Sequence, residues 1–360
     1  MSSKRFLMMA GGTGGHVFPA LATARMLQAK GHQVFWLGSA GGMEERLIGE
    51  TDIPLSTIAI SGLRGKGTMA LLAAPFRLAR ALYQAMAVIR STRPDCVIGM
   101  GGFVAGPGGL AAWLARKPLL VHEQNAIAGL TNRILSRLAE TVLEAFPGSF
   151  GPHVVTRCTG NPVRTDVAGL AAPDLRLAER EGAMRLLVVG GSLGALVINQ
   201  TVPEALAQLP GGQRPVVRHQ CGERHLEATR EAYRATGVEA DVQPFIEDMA
   251  EAYGWADLVL SRAGALTIAE LCAAGIGAIL VPFPHAVDDH QTRNADYMVK
   301  AGAALLIPQP KLTVAALTEL LTDLVNDRDR TLKMAQAARE LGRPDATERV
   351  VNYCLEAANA

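Results

Sequence analysis

Residues 5–16 read Arg5-Phe6-Leu7-Met8-Met9-Ala10-Gly11-Gly12-Thr13-Gly14-Gly15-His16, and residues 186–194 read Leu186-Leu187-Val188-Val189-Gly190-Gly191-Ser192-Leu193-Gly194. Each stretch is a short apolar run, then a glycine cluster, and each is followed by a helical pattern. An apolar run without polar alternation suits a strand buried on both faces, as in a parallel sheet. Glycines at the strand end let a phosphate approach the backbone N–H groups and positive dipole end of the next helix. Gly11 and Gly190 stand 179 positions apart, close to half of the 360-residue chain. The repeat predicts an α/β protein of two Rossmann-like domains, with parallel sheets facing across a cleft and ligands at the carboxyl ends of the strands.

Outward from these loops, strand-like runs alternate with helical stretches, the pattern of right-handed βαβ crossovers. Strands are expected at Arg5–Ala10, Gln33–Leu37, Cys96–Gly99, Leu119–His122, Leu186–Val189, Val216–His219, Leu258–Ser261 and Ala278–Val281. Helices are expected at Val17–Lys30, Met69–Arg90, Leu130–Leu138 and Ala195–Leu209, with another from Leu266. A boundary is expected between about Gly160 and Gly182, giving domains 1–164 and 165–340. The last helix, in 341–360, is expected to pack back on the first domain.

Composition narrows the function. Lys+Arg number 35 against 34 Asp+Glu, a formal net charge of +1, which argues against nucleic acid as a partner. Apolar residues at 49% and charged residues at 19% exclude a disordered chain. The five cysteines (Cys96, Cys158, Cys221, Cys272, Cys354) show no CxxC and no metal-ligand spacing, so buried thiols in a reducing compartment are expected. No secretory signal is evident: the apolar run after Arg5 is too short. Cys96–Ala115 carries no charge over 20 residues but is too glycine-rich for a membrane-spanning helix.

Two phosphate-loop motifs fail. Gly12-Thr13-Gly14 lacks the third glycine of a dinucleotide fingerprint, and no acid follows the second strand at Leu37-Gly38-Ser39. Gly65-Lys66 is followed by Gly67, not the Ser or Thr of a P-loop. A third cluster, Ser261–Glu270, places Glu270 on an otherwise apolar helix. It is either a solvated surface residue or a carboxylate that clamps two adjacent hydroxyls, as on a ribose. A fourth, Asp288–Asn294, follows the strand ending Val281-Pro282-Phe283-Pro284.

Together these segments resemble the MurG family of bacterial UDP-N-acetylglucosamine–N-acetylmuramyl-(pentapeptide) pyrophosphoryl-undecaprenol N-acetylglucosaminyltransferases. The matching motifs are Gly11–Pro19, Ile60–Gly67, Gly99–Gly102, His122-Glu123-Gln124-Asn125, Gly160–Arg164, Gly190-Gly191-Ser192 and Gly264–Thr267. They run through almost the whole chain. Leu193 stands where the family usually has glutamine, and Gly277 where proline is common.

The resemblance implies a GT-B fold and inverting transfer of N-acetylglucosamine from UDP-N-acetylglucosamine to the C4 hydroxyl of undecaprenyl-linked muramyl pentapeptide. That reaction forms the disaccharide precursor of peptidoglycan on the cytoplasmic side of the inner membrane, with the enzyme attached peripherally. It further implies links to cell-wall biogenesis, cell shape and division, and contacts with other cell-wall and division proteins. Carried onto this sequence, Ser192 takes the diphosphate, Arg164 contacts the nucleotide and Ile246 gives backbone contacts to uracil. Ala265, Leu266, Thr267, Ile268, Ala269 and Glu270 line the ribose and phosphates. Gln291 and Asn125 grip the sugar, helped by Thr13, Gly14 and Gly15. His16 is the expected base, since imidazole titrates near neutrality; the alternative is a phosphate-binding or helix-capping residue. His122 is a rival better suited to a structural hydrogen bond.

No cofactor and no metal are implied. Asp327-Arg328-Asp329 mimics a metal-binding DxD string but lies between two helices. The apolar stretch Met69–Phe76, flanked by Arg64, Lys66, Arg77 and Arg80, is expected to dock on an anionic membrane surface. Rival readings are a sugar-nucleotide epimerase, a transferase onto another lipid, and a non-enzymatic nucleotide-sugar sensor, which would not need His16.

Overall fold

The computed structural model describes residues 3–60, 73–178, 180–191 and 194–359. They form two compact units, Met1–Val163 with Asp345–Ala360 (unit 1) and Arg164–Pro344 (unit 2).

In unit 1 the strands are β1 (Arg5–Met9), β2 (Gln33–Ser39), β3 (Leu55–Ile58), β4 (Cys96–Gly99), β5 (Leu119–Glu123), β6 (Thr141–Glu144) and β7 (Arg157–Cys158). They pair in the order β3-β2-β1-β4-β5-β6-β7, parallel throughout. β1 explains why its sequence is apolar without alternation. Phe6 and Met8 enter one core with Val17, Ala20 and Ala24 of the helix Gly14–Ala29. Leu7 and Met9 enter another on the opposite face with Ala81, Ala85 and Ile89 of the helix Ala74–Thr92. The C-terminal helix Ala346–Asn359 inserts Val350, Val351 and Cys354 into the first of these cores.

Unit 2 repeats the plan with β8 (Arg185–Val189), β9 (Val216–Gln220), β10 (Asp241–Gln243), β11 (Leu258–Ser261), β12 (Gly277–Leu280) and β13 (Ala304–Leu306). The order is β10-β9-β8-β11-β12-β13, again all parallel. In both units the first strand lies at the centre, where the order reverses. That reversal point is where open α/β sheets bind ligands. Gly11 follows β1 and Gly190 follows β8, so the glycine repeat read from the sequence marks equivalent places.

Several local expectations change. The first helix begins at Gly14, not Val17, because the Thr13 carbonyl accepts from the N–H groups of both His16 and Val17 at 3.1 Å. His16 therefore sits in the first helical turn. The helix expected at Leu130–Leu138 ends at Leu135. The expected Met69–Arg90 helix is described from Ala74, and Met69–Leu72 lies outside the described residues. Gly277 lies so close under the helix Arg328–Leu341 that a β-carbon would stand 2.8 Å from Met334 Cβ. Asp327 caps that helix, accepting from the Arg330 N–H at 2.9 Å. All five cysteines are free thiols, four of them buried and Cys158 half-buried.

Candidate functional site

At the carboxyl edge of unit 1 the loops after β1, β4 and β5 meet. A β-carbon on Gly102 would stand 2.3 Å from the Gly11 carbonyl oxygen, and one on Gly101 would stand 2.6 Å from His16 Nδ1. These two glycines, with φ of +84° and +96°, admit the first glycine loop and the imidazole against their own backbone. Behind the loop lies Glu44, fully buried, which accepts from Gly12 N at 3.1 Å, Ser39 N at 2.7 Å and Ser39 Oγ at 2.6 Å. Burial pushes its carboxyl up, but the Ser39 and Gly12 hydrogen bonds outweigh this and hold it below the usual range. Glu44 thus braces the loop as a fixed carboxylate.

The His122–Asn125 motif ends β5 beside it. His16, half-buried, places Nδ1 2.8 Å from Gln124 Oε1. Gln124 Nε2 lies 3.0 Å from His122 Nδ1 and 3.2 Å from the His122 carbonyl, and His122 Nε2 lies 3.0 Å from the Gly160 carbonyl. Burial pushes the His122 imidazole down to about 4, more than its hydrogen bond to Gly160 restores, so it is neutral near pH 7. Glu123 is occupied within its own loop. Its Oε1 accepts from Asn125 N (2.9 Å) and Nδ2 (3.1 Å), and its Oε2 from Gly129 N (3.1 Å) and Asn132 Nδ2 (2.8 Å). Asn125 is thereby oriented, Thr13 is exposed, and Gly14 and Gly15 open the helix.

Unit 2 presents a charged counterpart. Glu270 lies in the helix Ala265–Ala274 and is 5% exposed, which excludes the solvated-surface alternative. Its Oε1 accepts from Arg164 Nε at 3.3 Å and its Oε2 from the Tyr253 hydroxyl at 3.2 Å. Burial pushes the carboxyl up, opposed by the Arg164 guanidinium and the Tyr253 hydrogen bond. Along the same helix Leu266, Thr267 and Ala269 are half-buried, whereas the side chains of Ala265 and Ile268 belong to the core. Ile246 is buried, and its N–H is given to Gln220 Oε1 at 3.2 Å. Gln291 accepts from Phe283 N at 2.9 Å, which turns its amide nitrogen away from that backbone. Ser192 and Leu193 lie outside the described residues, as do Ser61–Leu72. The flanking Gly191 and Gly194 have φ of +83° and +75°.

Three functional neighbours escaped sequence reasoning. Glu44 and Tyr253 act across 32 and 17 positions, on Gly12 and Glu270, and nothing local marks them. Gln124 lay inside a motif already singled out, but its link to His16 spans 108 positions.

Comparison with known proteins adds identity to this geometry. Residues 6–144 match the glycosyltransferase family 28 N-terminal domain and residues 185–350 its C-terminal domain. The chain is 73% identical over 356 residues to a UDP-N-acetylglucosamine–N-acetylmuramyl-(pentapeptide) pyrophosphoryl-undecaprenol N-acetylglucosamine transferase of Marinobacter nauticus, covering 99% of this chain and 98% of that protein. It is 57% identical over 356 residues to the protein of the same name from Alkalilimnicola ehrlichii, covering 98% of each. Its structure is similar to the crystal structure of Acinetobacter baumannii MurG, with a TM-score of 0.85, 43% identity, and 98% and 99% of the two chains covered.

Proposed function

The chain belongs to glycosyltransferase family 28, and on that premise we propose how its two units divide the reaction. It has the GT-B fold and transfers N-acetylglucosamine from UDP-N-acetylglucosamine to undecaprenyl-pyrophosphoryl N-acetylmuramyl pentapeptide, a step of peptidoglycan synthesis. Unit 2 takes the donor. Glu270 accepts from the ribose hydroxyls, the Ile246 carbonyl meets uracil, and Arg164, Ser192 and the glycine-loop N–H groups neutralise the diphosphate. Leu266, Thr267 and Ala269 line the ribose and phosphates with side chain and backbone, and Ala265 and Ile268 with backbone. The Gln291 and Asn125 amides, with Thr13, Gly14 and Gly15, hold the sugar.

Unit 1 takes the acceptor, and His16 is its base. Nε2 of His16 removes the proton of the C4 hydroxyl. The oxygen bonds to the anomeric carbon from the side opposite the diphosphate, while the bond from that carbon to UDP breaks and UDP leaves with the electron pair. One displacement inverts the centre, so a single base suffices. The observation that carries this reading is the half-buried His16 imidazole in the first helical turn, held by Gln124 against Gly101.

The protein works at the cytoplasmic side of the inner membrane as a peripheral protein. On the helix Ala74–Thr92, Ala81, Ala85 and Ile89 face the core, while Phe76 is 80% exposed and Tyr83 75% exposed, with Arg77 and Arg80 also exposed. An apolar face dipping into the interface beside cations suits an anionic bilayer. Among the described residues no helix is long and apolar enough to cross a membrane. Ties to cell shape, division and other cell-wall proteins belong to the same proposal.

The test is transfer of label from radiolabelled UDP-N-acetylglucosamine to a short-chain lipid-linked muramyl pentapeptide in the presence of EDTA. Labelled disaccharide lipid is expected from the wild type and at most about a hundredth of that rate from His16→Ala. Label appearing only on free sugar, or full turnover by the variant, contradicts the reading.

A further inference from the structure

The Gly160 carbonyl is the fixed end of a chain of hydrogen bonds, because a carbonyl only accepts. His122 Nε2, 3.0 Å away, therefore donates to it. The His122 ring is fully buried and neutral, so its Nδ1 carries a lone pair. Gln124 meets that lone pair at 3.0 Å and the His122 carbonyl at 3.2 Å, both with the same side-chain atom. Two acceptors call for the two hydrogens of an amide nitrogen. The reversed amide would set an oxygen against both. Oε1 of Gln124 consequently faces His16, and His16 Nδ1, 2.8 Å away, donates to it. A neutral imidazole with its proton on Nδ1 has its lone pair on Nε2.

We infer that Gln124 is a positioning residue, which the buried His122–Gly160 pair orients so that His16 is held in the tautomer that leaves Nε2 as the base. The inference rests on the reading of His16 as base. No carboxylate or guanidinium enters this chain of hydrogen bonds. Glu123, the adjacent carboxylate, is taken up by Asn125, Gly129 and Asn132, and Asn161 Nδ2 pins the Gln124 backbone carbonyl at 3.0 Å. A neutral partner selects the tautomer and ring orientation without the rise in basicity that a carboxylate would bring.

The test compares Gln124→Met, His16→Ala and the double variant His16→Ala/Gln124→Met in the transfer assay, and reads the His16 tautomer of the wild type by 15N NMR. Methionine keeps the length and flexibility of the side chain and removes the acceptor. Gln124→Met should lower kcat about 10–10³-fold with KM for UDP-N-acetylglucosamine unchanged. In the His16→Ala background it should change kcat by less than about twofold, because residues that act as one unit are not additive. In the wild type the 15N resonances of the neutral His16 ring should show the proton on Nδ1 and a bare Nε2, the tautomer that Gln124 Oε1 selects. Equal losses from Gln124→Met in both backgrounds, or a neutral His16 ring with its proton on Nε2, overturn the inference. Should Gln124→Met fail to fold, the wild-type tautomer decides alone. Undiminished kcat in His16→Ala instead defeats the base reading itself, so the two failures are separable.

Discussion

The two units share strand order, glycine loops and the place of their polar residues, yet one centres on a path of imidazoles, an amide and a carbonyl and the other on an ion pair. In unit 1 the path from Gly160 through His122 and Gln124 to His16 contains no carboxylate or guanidinium, and the two nearby carboxylates, Glu44 and Glu123, are tied to backbone N–H groups. In unit 2 a carboxylate and a guanidinium face each other at 3.3 Å, with Arg164 still 37% exposed along its side chain. Under the proposed division of the reaction, the difference lets one scaffold serve two tasks. A base near neutral pH needs a lone pair in a defined direction, which neutral partners supply. A nucleotide diphosphate needs charge and a diol needs strong acceptors, which an incompletely satisfied ion pair supplies.

The contrast can be broken most forcefully at His16. His16→Ala is expected to lower turnover about 10²–10⁴-fold with UDP affinity unchanged, measured by initial rates in the transfer assay. A loss under about threefold would reduce His16 to a binding residue. Next in size, Glu270→Ala should weaken UDP binding by about 1.5–3 kcal/mol through lost charge-assisted hydrogen bonds. Acceptor KM should be untouched, because the proposal gives the carboxylate a role on the donor side only.

Acid sharpens the comparison from another side, because each unit buries a histidine. Burial pushes His122 to about 4 and His219 to about 3, against about 6.5 in an unfolded chain. Above about pH 6.5 both states are neutral at these positions, and no stability depends on them. Below it the unfolded chain binds protons that the folded units refuse, so stability falls with pH by about 1.4 kcal/mol per unit for each histidine until pH 4. Urea midpoints at pH 7.5 and pH 5 measure this. His219→Gln should flatten the slope by one histidine's share, and an unchanged slope would show that His219 is not the group responsible. The smallest effect is expected at the surface: Phe76→Ser should weaken sedimentation with anionic vesicles by about 1–2 kcal/mol without altering the fold. Unchanged sedimentation would move the docking surface elsewhere.

What the sequence reveals here follows burial. β1, β4, β8 and β11 lie at the sheet centres, and a strand buried on both faces must be apolar throughout, so each is visible as a short run. The edge strands Leu55–Ile58 and Asp241–Gln243 are brief and partly polar, and carry no such signal. Glycine clusters mark the ligand edges because close approach forbids side chains there. Their individual duties stay hidden: Gly101 serves the His16 ring and Gly102 the Gly11 carbonyl, contacts across some 85–91 positions. The burial of Glu270 could not be read from an apolar helix, since one acid on such a face is as compatible with solvent as with a clamp. Tyr253, arriving from the helix Met249–Trp255, decides it.

The central claim, that the base belongs to unit 1 and the donor to unit 2, is tested most directly by calorimetric titration of UDP into His16→Ala and Glu270→Ala alongside the wild type. The account predicts wild-type affinity for the inactive His16→Ala protein and an affinity about 10–100-fold weaker for Glu270→Ala. Weakened UDP binding in His16→Ala together with wild-type affinity in Glu270→Ala would contradict it.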